Sequence, residues 1–389
     1  MAGKKTAQQY TTLRVRLCPT PEQAALFEKT FGCCRYIWNQ MLSDQQRFYL
    51  ETGAHFIPTP AKYKTGAPFL KEVDNQALIQ EYNQLSQAFR VFFKNPQVFG
   101  APRFKRKKDD RDSFTACNHD FPSGPTIFTT REGIRMTKAG IVKAVFHRRP
   151  QAWWKLRRIT VDRSRSGKYH ASILYDCGTK PVQPVIPVPE RTLGLKYSAS
   201  QFYTADNGAA ASPPHWMRQS QEKLCFLQRR LSGMQPGSRN YQETVQKYRL
   251  LHEHIANQRK DFIHKESRRI ANAWDAVCVR AGDLADLPLT RENIRDAGFG
   301  KFREALRYKL ARQGKALIEI DRYFPVTKCC SVCGQVQEAV SYRRKTWTCG
   351  RCGTLHLREV NAARNIKAQG LEQYFRTEEP RRSAYSQRG

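Results

Sequence analysis

The chain has 389 residues, 40% of them hydrophobic, and its 67 Lys and Arg against 34 Asp and Glu give a formal net charge of +33. The apolar content excludes a disordered chain and suffices for two or three packed domains. Charge of this size opposes folding unless a polyanion offsets it, so nucleic acid is the expected partner. No apolar run is long enough to span a bilayer, and the N-terminus lacks a signal-peptide core, so a non-membrane, intracellular protein is expected. The 12 cysteines are then expected as thiols or metal ligands rather than disulfides.

Residues 9–18 alternate as a strand with one basic face. Thr20, Pro21 and Gln23 form a helix start, with Thr20 as N-cap, Pro21 in the first helical position and Gln23 completing a capping box. The helix is expected to break or bend at Gly32 and a second to span residues 35–52. A further helix near 75–93 carries Leu78, Tyr82, Leu85, Phe89 and Phe92 on one stripe, a core face. Pro102 to Lys108 is a basic loop with Phe104 set among cations, a pattern suited to phosphate contact with base stacking. Residues 113–178 read as short strands of a small antiparallel barrel that strand 9–18 completes, with a helical domain inserted after that first strand.

A Pro-rich linker leads to a strand at Arg191–Ser198, and Asp206-Asn207-Gly208 signals a hairpin. Two long basic helices, about 215–232 and 238–273, precede a buried strand at 277–280, a helix at 297–313 and a strand at 316–320, an α/β pattern. Cys330-Ser-Val-Cys333 and Cys349-Gly-Arg-Cys352 are two C-x2-C pairs, each followed by glycine. Four thiolates so spaced satisfy tetrahedral zinc as a closed structural site, and Cys329 is a spare neighbour.

Several blocks together resemble the TnpB family of transposon-encoded RNA-guided nucleases. They are Arg16–Gln23 with Phe31–Asn39, Gly100–Lys107, Gln258–Lys265, Asp296–Phe302, Tyr323–Gly334, Trp347–Cys349 and His356–Ile366. The resemblance implies a multidomain α+β protein. An oligonucleotide-binding wedge β-barrel would occupy 1–18 and 110–180, with a helical recognition domain at 19–109 inserted in it. A linker at 181–190 would lead to a RuvC-like, ribonuclease-H-like domain at 191–325 and 355–372. A zinc ribbon at 326–354 would interrupt that domain, and 373–389 would be a flexible tail.

The family's nuclease uses three carboxylates to hold Mg²⁺. The matching positions here are Lys196, Gly282 and Glu359. Asp283 adjoins Gly282 but would point to the opposite face of a strand, and Asp286 lies beyond it. One carboxylate in three is not expected to assemble the site, so structural Zn²⁺ and no catalytic Mg²⁺ are expected. The resemblance to nuclease-dead TnpB-like repressors implies one protein per guide RNA, acting in the bacterial cytoplasm at the nucleoid. Such a protein binds target double-stranded DNA beside a short adjacent motif, opens an R-loop and blocks RNA polymerase. An endonuclease with a rearranged metal site and a basic zinc-ribbon RNA-binding transposon-control factor are the alternatives. Asn75, Gln76 and Thr115 match positions that read the adjacent motif. Arg103, Phe104, Lys105, Arg259, Lys260, Lys265 and Arg268 are the candidate backbone contacts.

Overall fold

The computed structural model of the protein describes residues 9–107, 112–122, 124–178, 182–197, 201–212, 216–281, 298–338, 340–341 and 344–386. The chain divides into two compact units, Met1–Pro181 and Val182–Gly389. Among the described residues, no helix is long and apolar enough to cross a membrane.

In the first unit, β1 (Tyr10–Cys18) alternates as its sequence requires: Leu13, Val15 and Leu17 are buried, while Arg14 and Arg16 are exposed. Helix α1 (Pro21–Thr52) begins at the expected capping box, with Thr20 accepting from the Gln23 amide and the Gln23 side chain accepting from the Thr20 amide. It does not break at Gly32. A helical glycine costs about 1 kcal/mol, and the buried Phe27, Phe31, Ile37 and Met41 outweigh that at roughly 1.5–3 kcal/mol per large apolar side chain. Helix α2 (Asn75–Lys94) buries Leu78, Leu85 and Phe89, and half-buried Tyr82 and Phe92 pack against the same core.

Seven strands follow the order β2-β8-β9-β1-β7-β6-β5, all adjacent pairs antiparallel. These are β2 (Ser113–Cys117), β5 (Phe128–Thr129), β6 (Gly133–Met136), β7 (Gly140–Val145), β8 (Lys155–Arg163) and β9 (Tyr169–Asp176) around β1, with the short hairpin β3 (Asp120–Phe121) and β4 (Gly124–Pro125) outside the sheet. The inserted helices and the sheet share one hydrophobic core, in which Phe27 and Phe31 each pack a tilted ring against Phe114 of β2.

The second unit has a five-stranded sheet in the order β12-β11-β10-β13-β14. β10 (Thr192–Tyr197), β11 (Tyr203–Ala205) and β12 (Ala210–Ala211) form an antiparallel meander, while β13 (Ala276–Arg280) and β14 (Ala316–Ile320) run parallel to β10. Parallel pairing needs long crossovers. α3 (Trp216–Ser232) and α4 (Arg239–Ala273) supply the first, and α5 (Phe299–Ala311) lies in the second. Lastly β15 (Thr346–Thr348) and β16 (Leu355–Leu357) pair, and α6 (Arg358–Ser386) runs through the expected tail to Ser386.

α6 lies so close to the sheet that only glycine fits at two crossings. A Cβ on Gly194 of β10 would stand 2.2 Å from the Ala363 carbonyl oxygen, and one on Gly370 would stand 2.5 Å from the Cys278 sulfur. This approach sets the first turn of α6 beside the end of β10.

Candidate functional site

Lys196 is the fifth residue of β10, after the buried run Thr192–Leu195. Its ammonium forms an ion pair with Glu359 in the first turn of α6, the two side chains being 15% and 22% exposed. Lys196 takes one carboxylate oxygen. Arg358 donates to the other from Nη2 at 2.7 Å and Nε at 3.0 Å. Burial pushes the Lys196 ammonium below its ordinary value, and Glu359 offsets part of that. Burial acting alone would raise Glu359, but Lys196 and Arg358 outweigh it and hold the carboxyl below its ordinary value. The carboxylate is therefore charged and satisfied by two cations. A divalent ion about 4 Å from the ammonium would be repelled by roughly 8 kcal/mol at an effective dielectric of about 20. These two residues do not fit a Mg²⁺ site. Gly282, with Asp283 and Asp286, lies outside the described residues.

Beyond Glu359 the same helix holds the cysteine module. The ligand atoms of Cys330, Cys333, Cys349 and Cys352 all lie within 4.8 Å of one another. Cys330 and Cys352 sulfurs are 3.6 Å apart, and Cys333 and Cys349 sulfurs 3.7 Å. A tetrahedral ion with Zn–S bonds of about 2.3 Å requires sulfurs about 3.8 Å apart, so the donor set fits zinc. The glycines after each pair adopt φ 74° at Gly334 and 69° at Gly353, and each amide closes the turn by donating to the carbonyl of Cys330 or Cys349 at 2.9 Å. Cys329 stands outside the cluster, its thiol directed to the Gly334 carbonyl at 3.5 Å. Two residues that sequence reasoning gave no role bind this module to α6. Asn361 and Asn365, one helical turn apart, both donate to the Cys329 carbonyl, at 2.7 and 2.6 Å. Asn361 also accepts from the Ser331 amide at 2.9 Å, and Asn365 donates to the Val326 carbonyl at 2.8 Å. Their i, i+4 spacing was visible in the sequence, but not what they bind.

The candidate nucleic-acid contacts are more scattered. Asn75 is exposed at the start of α2 and accepts from Lys64 at 2.6 Å; Gln76 beside it is half-buried. Thr115 is buried, its hydroxyl sharing a 2.8 Å hydrogen bond with Thr160 across the β2–β8 pair. Arg103 is exposed and Phe104 is 47% exposed.

Lys105 differs from the expectation of a solvent-facing phosphate contact. Its ammonium pairs with the carboxylate of Glu81, which is only 2% exposed, and lies 4.1 Å over the Trp38 ring. The buried carboxylate needs that partner, since burial pushes Glu81 up and Lys105 opposes it. Asn39 fixes the Lys105 backbone in both directions, at 2.8 and 3.0 Å, and Trp38 donates to the Arg103 carbonyl at 2.9 Å. The basic loop is thus pinned to α1 while Arg103 and Phe104 stay outward. In the second unit Lys260, Lys265 and Arg268 are exposed on α4 and Arg259 is half-buried; Lys265 pairs with Asp261 at 2.8 Å.

Comparison with known proteins places these features. The "Cas12f1-like, TNB domain" model matches residues 299–366, and a "Probable transposase" model of the IS605 OrfB type matches residues 174–286. A "Helix-turn-helix domain" model of the same type matches residues 9–54, a segment folded here as β1 and the single helix α1. A "Putative RNA-guided DNA endonuclease" of Streptomyces pristinaespiralis is 31% identical over 374 residues, covering 92% of this chain and 89% of that protein. The "Putative RNA-guided DNA endonuclease InsQ" of Escherichia coli strain K12 is 25% identical over 384 residues, covering 92% and 91%. The solved structure titled "Cryo-EM structure of the Cas12f1-sgRNA-target DNA complex" aligns with a TM-score of 0.58 at 13% identity over 90% of this chain and 83% of that one, a likeness of fold. These matches define a transposon-type OrfB protein. The chain belongs to the TnpB family.

Proposed function

We propose that this protein is an RNA-guided DNA-binding protein that does not cut its target. In this reading the seven-stranded sheet of the first unit is the oligonucleotide-binding wedge. The five-stranded sheet of the second unit is a RuvC-like domain whose nuclease centre is lost. The observation that carries the reading is the Lys196–Glu359 ion pair: the position that matches a metal-binding carboxylate holds an ammonium, and that ammonium occupies the neighbouring carboxylate. The names of the relatives support guide-directed DNA binding, and the fit of four thiolates to zinc supports a retained ribbon. The guided complex would open target duplex beside a short motif, stay bound and block RNA polymerase, with pairing to the guide supplying sequence specificity.

The test is to purify the protein with its RNA, sequence that RNA, and incubate the complex with the matching duplex and Mg²⁺. Retarded, uncut duplex is expected, together with repression of a promoter carrying the site; strand scission by the wild type would overturn the reading. Lys196→Asp alone should remain inactive, because Gly282 still supplies no ligand. The triple change Lys196→Asp, Gly282→Glu and Glu359→Asp is expected to restore scission.

A further inference from the structure

Strand β16 faces the opposite way from what its composition favours. Leu355 and Leu357 are 68% and 60% exposed, while His356 between them is 3% exposed. Burying an imidazole and leaving two leucines in water costs free energy unless the imidazole finds a polar partner inside. That partner is the Cys330 sulfur, 3.1 Å from His356 Nε2. Trp347, opposite His356 in the β15–β16 pair, packs on the ring with centroids 4.6 Å apart and holds its plane.

The distance fits a hydrogen bond better than two ligands of one ion. With Zn–S about 2.3 Å and Zn–N about 2.0 Å, a tetrahedral ion would set sulfur and nitrogen about 3.5 Å apart. A thiolate has no proton to give, so a hydrogen bond here requires the hydrogen on Nε2. Burial explains why the sulfur needs a donor. Cys330 and Cys349 are each 1% exposed, whereas Cys333 is half-buried and Cys352 is open to water. Both buried sulfurs have a side-chain nitrogen beside them, His356 at Cys330 and Gln337 at Cys349, the latter at 3.7 Å. Four thiolates on a divalent ion carry an excess of two negative charges, and a neutral N–H relieves that excess where solvent does not reach.

We infer that His356 belongs to the zinc site as a positioning residue, donating from Nε2 to the Cys330 thiolate without binding the metal. His356 lies two residues before Arg358, the first residue of α6. The same bond therefore ties the chain entering α6 to the metal, beside the Asn361 and Asn365 amides that bind the helix to the Cys329 carbonyl.

The experiment uses the full chain purified with its RNA, loaded with zinc or with cobalt(II) as an optical stand-in. X-ray absorption of the zinc protein should give four sulfurs at about 2.3 Å and no nitrogen; a bound nitrogen would make His356 a ligand and overturn the inference. His356→Phe should keep the four-sulfur visible bands of the cobalt protein but move its sulfur-to-metal charge-transfer band to lower energy, because a sulfur stripped of a hydrogen bond gives up its electrons more readily. It should also release zinc to a chelator about tenfold faster. His356→Gln, whose amide can donate to the same sulfur, should bring both readouts back towards the wild type. A histidine that only fills space predicts the reverse order, with the aromatic variant closer to the wild type. That order, equal loss in the two variants, or an unchanged band and release rate in His356→Phe would overturn the inference. Should His356→Phe fail to fold, the wild type alone decides: the nitrogen shifts of His356 in the zinc-loaded protein should report the Nε2–H tautomer, and the Nδ1–H tautomer would remove the bond.

Discussion

Two chemical centres share the first two turns of α6, and their polar groups are satisfied in opposite ways. At Glu359 the helix meets β10, where the carboxylate is spent on an internal pair with Lys196, the arrangement on which the proposed loss of nuclease activity rests. At Asn361 and Asn365 it meets the cysteine knuckle, where the thiol donors have the spacing of a tetrahedral ion and the two asparagines bond the Cys329 carbonyl. The contrast separates reactivity from scaffolding. What positions α6 is the close crossing at Gly194 and the two asparagine amides, none of which needs a metal at the strand edge. The register of the helix, the ribbon and the sheet is therefore set apart from the charges at the strand edge.

The largest effect should come from the cysteine end. Cys349→Ser should abolish the bound zinc found by metal analysis and expose residues 326–354 to protease. Structural zinc contributes about 10–16 kcal/mol in small zinc-binding peptides, as much as the whole typical margin of stability of about 5–15 kcal/mol. A Cys349→Ser protein with unaltered melting and protease resistance would break the comparison, because the ribbon would then be dispensable to the scaffold. Next comes the crossing. Gly194→Ala places a methyl 2.2 Å from a backbone oxygen that cannot swing away, so a loss of about 2–3 kcal/mol is expected by thermal or denaturant unfolding. Smaller again is Asn365→Ala. It leaves the Val326 carbonyl without that donor while Asn361 still serves Cys329. A cost of about 1–2 kcal/mol is expected, together with faster zinc release to a chelator.

Local chemistry made much of this legible in the sequence. The capping box at Thr20 and Gln23, the alternation of β1 and the choice of Cys330 over Cys329 depend on residues within a few positions of one another, and the structure bears them out. The break at Gly32 was misread because propensity is weak against four buried side chains on the same helix. The partners of Lys105 were hidden for a different reason. Its partner Glu81 lies 24 residues away and the Trp38 ring 67 away, so the loop looks free until α1 and α2 are packed. Gly194 had the same kind of invisibility: its need for a missing side chain is imposed by Ala363 of a helix far along the chain.

The smallest expected effect belongs to the ion pair itself. Glu359 titrates in the folded protein below its ordinary value of 4.5. A carboxyl depressed in this way contributes stability that is present above 4.5 and lost as pH falls through the lower folded value. Lys196 is depressed from 10.5, so its charged form is disfavoured by the fold. A lysine depressed in this way, with its attraction to Glu359 already included, favours the fold more as pH rises towards its ordinary value. On the acid side nothing opposes the loss, because protonated Glu359 leaves the ammonium buried without its partner. The double variant Lys196→Met, Glu359→Gln should therefore match the wild type near neutral pH, since exchanging a buried ion pair for uncharged residues of similar volume is often close to neutral. As the pH falls from neutrality through 4.5 and below, its melting temperature should fall less than that of the wild type. Parallel acid limbs would show that the pair does not couple to folding, and Lys196 would then be a surface cation that happens to lie beside Glu359.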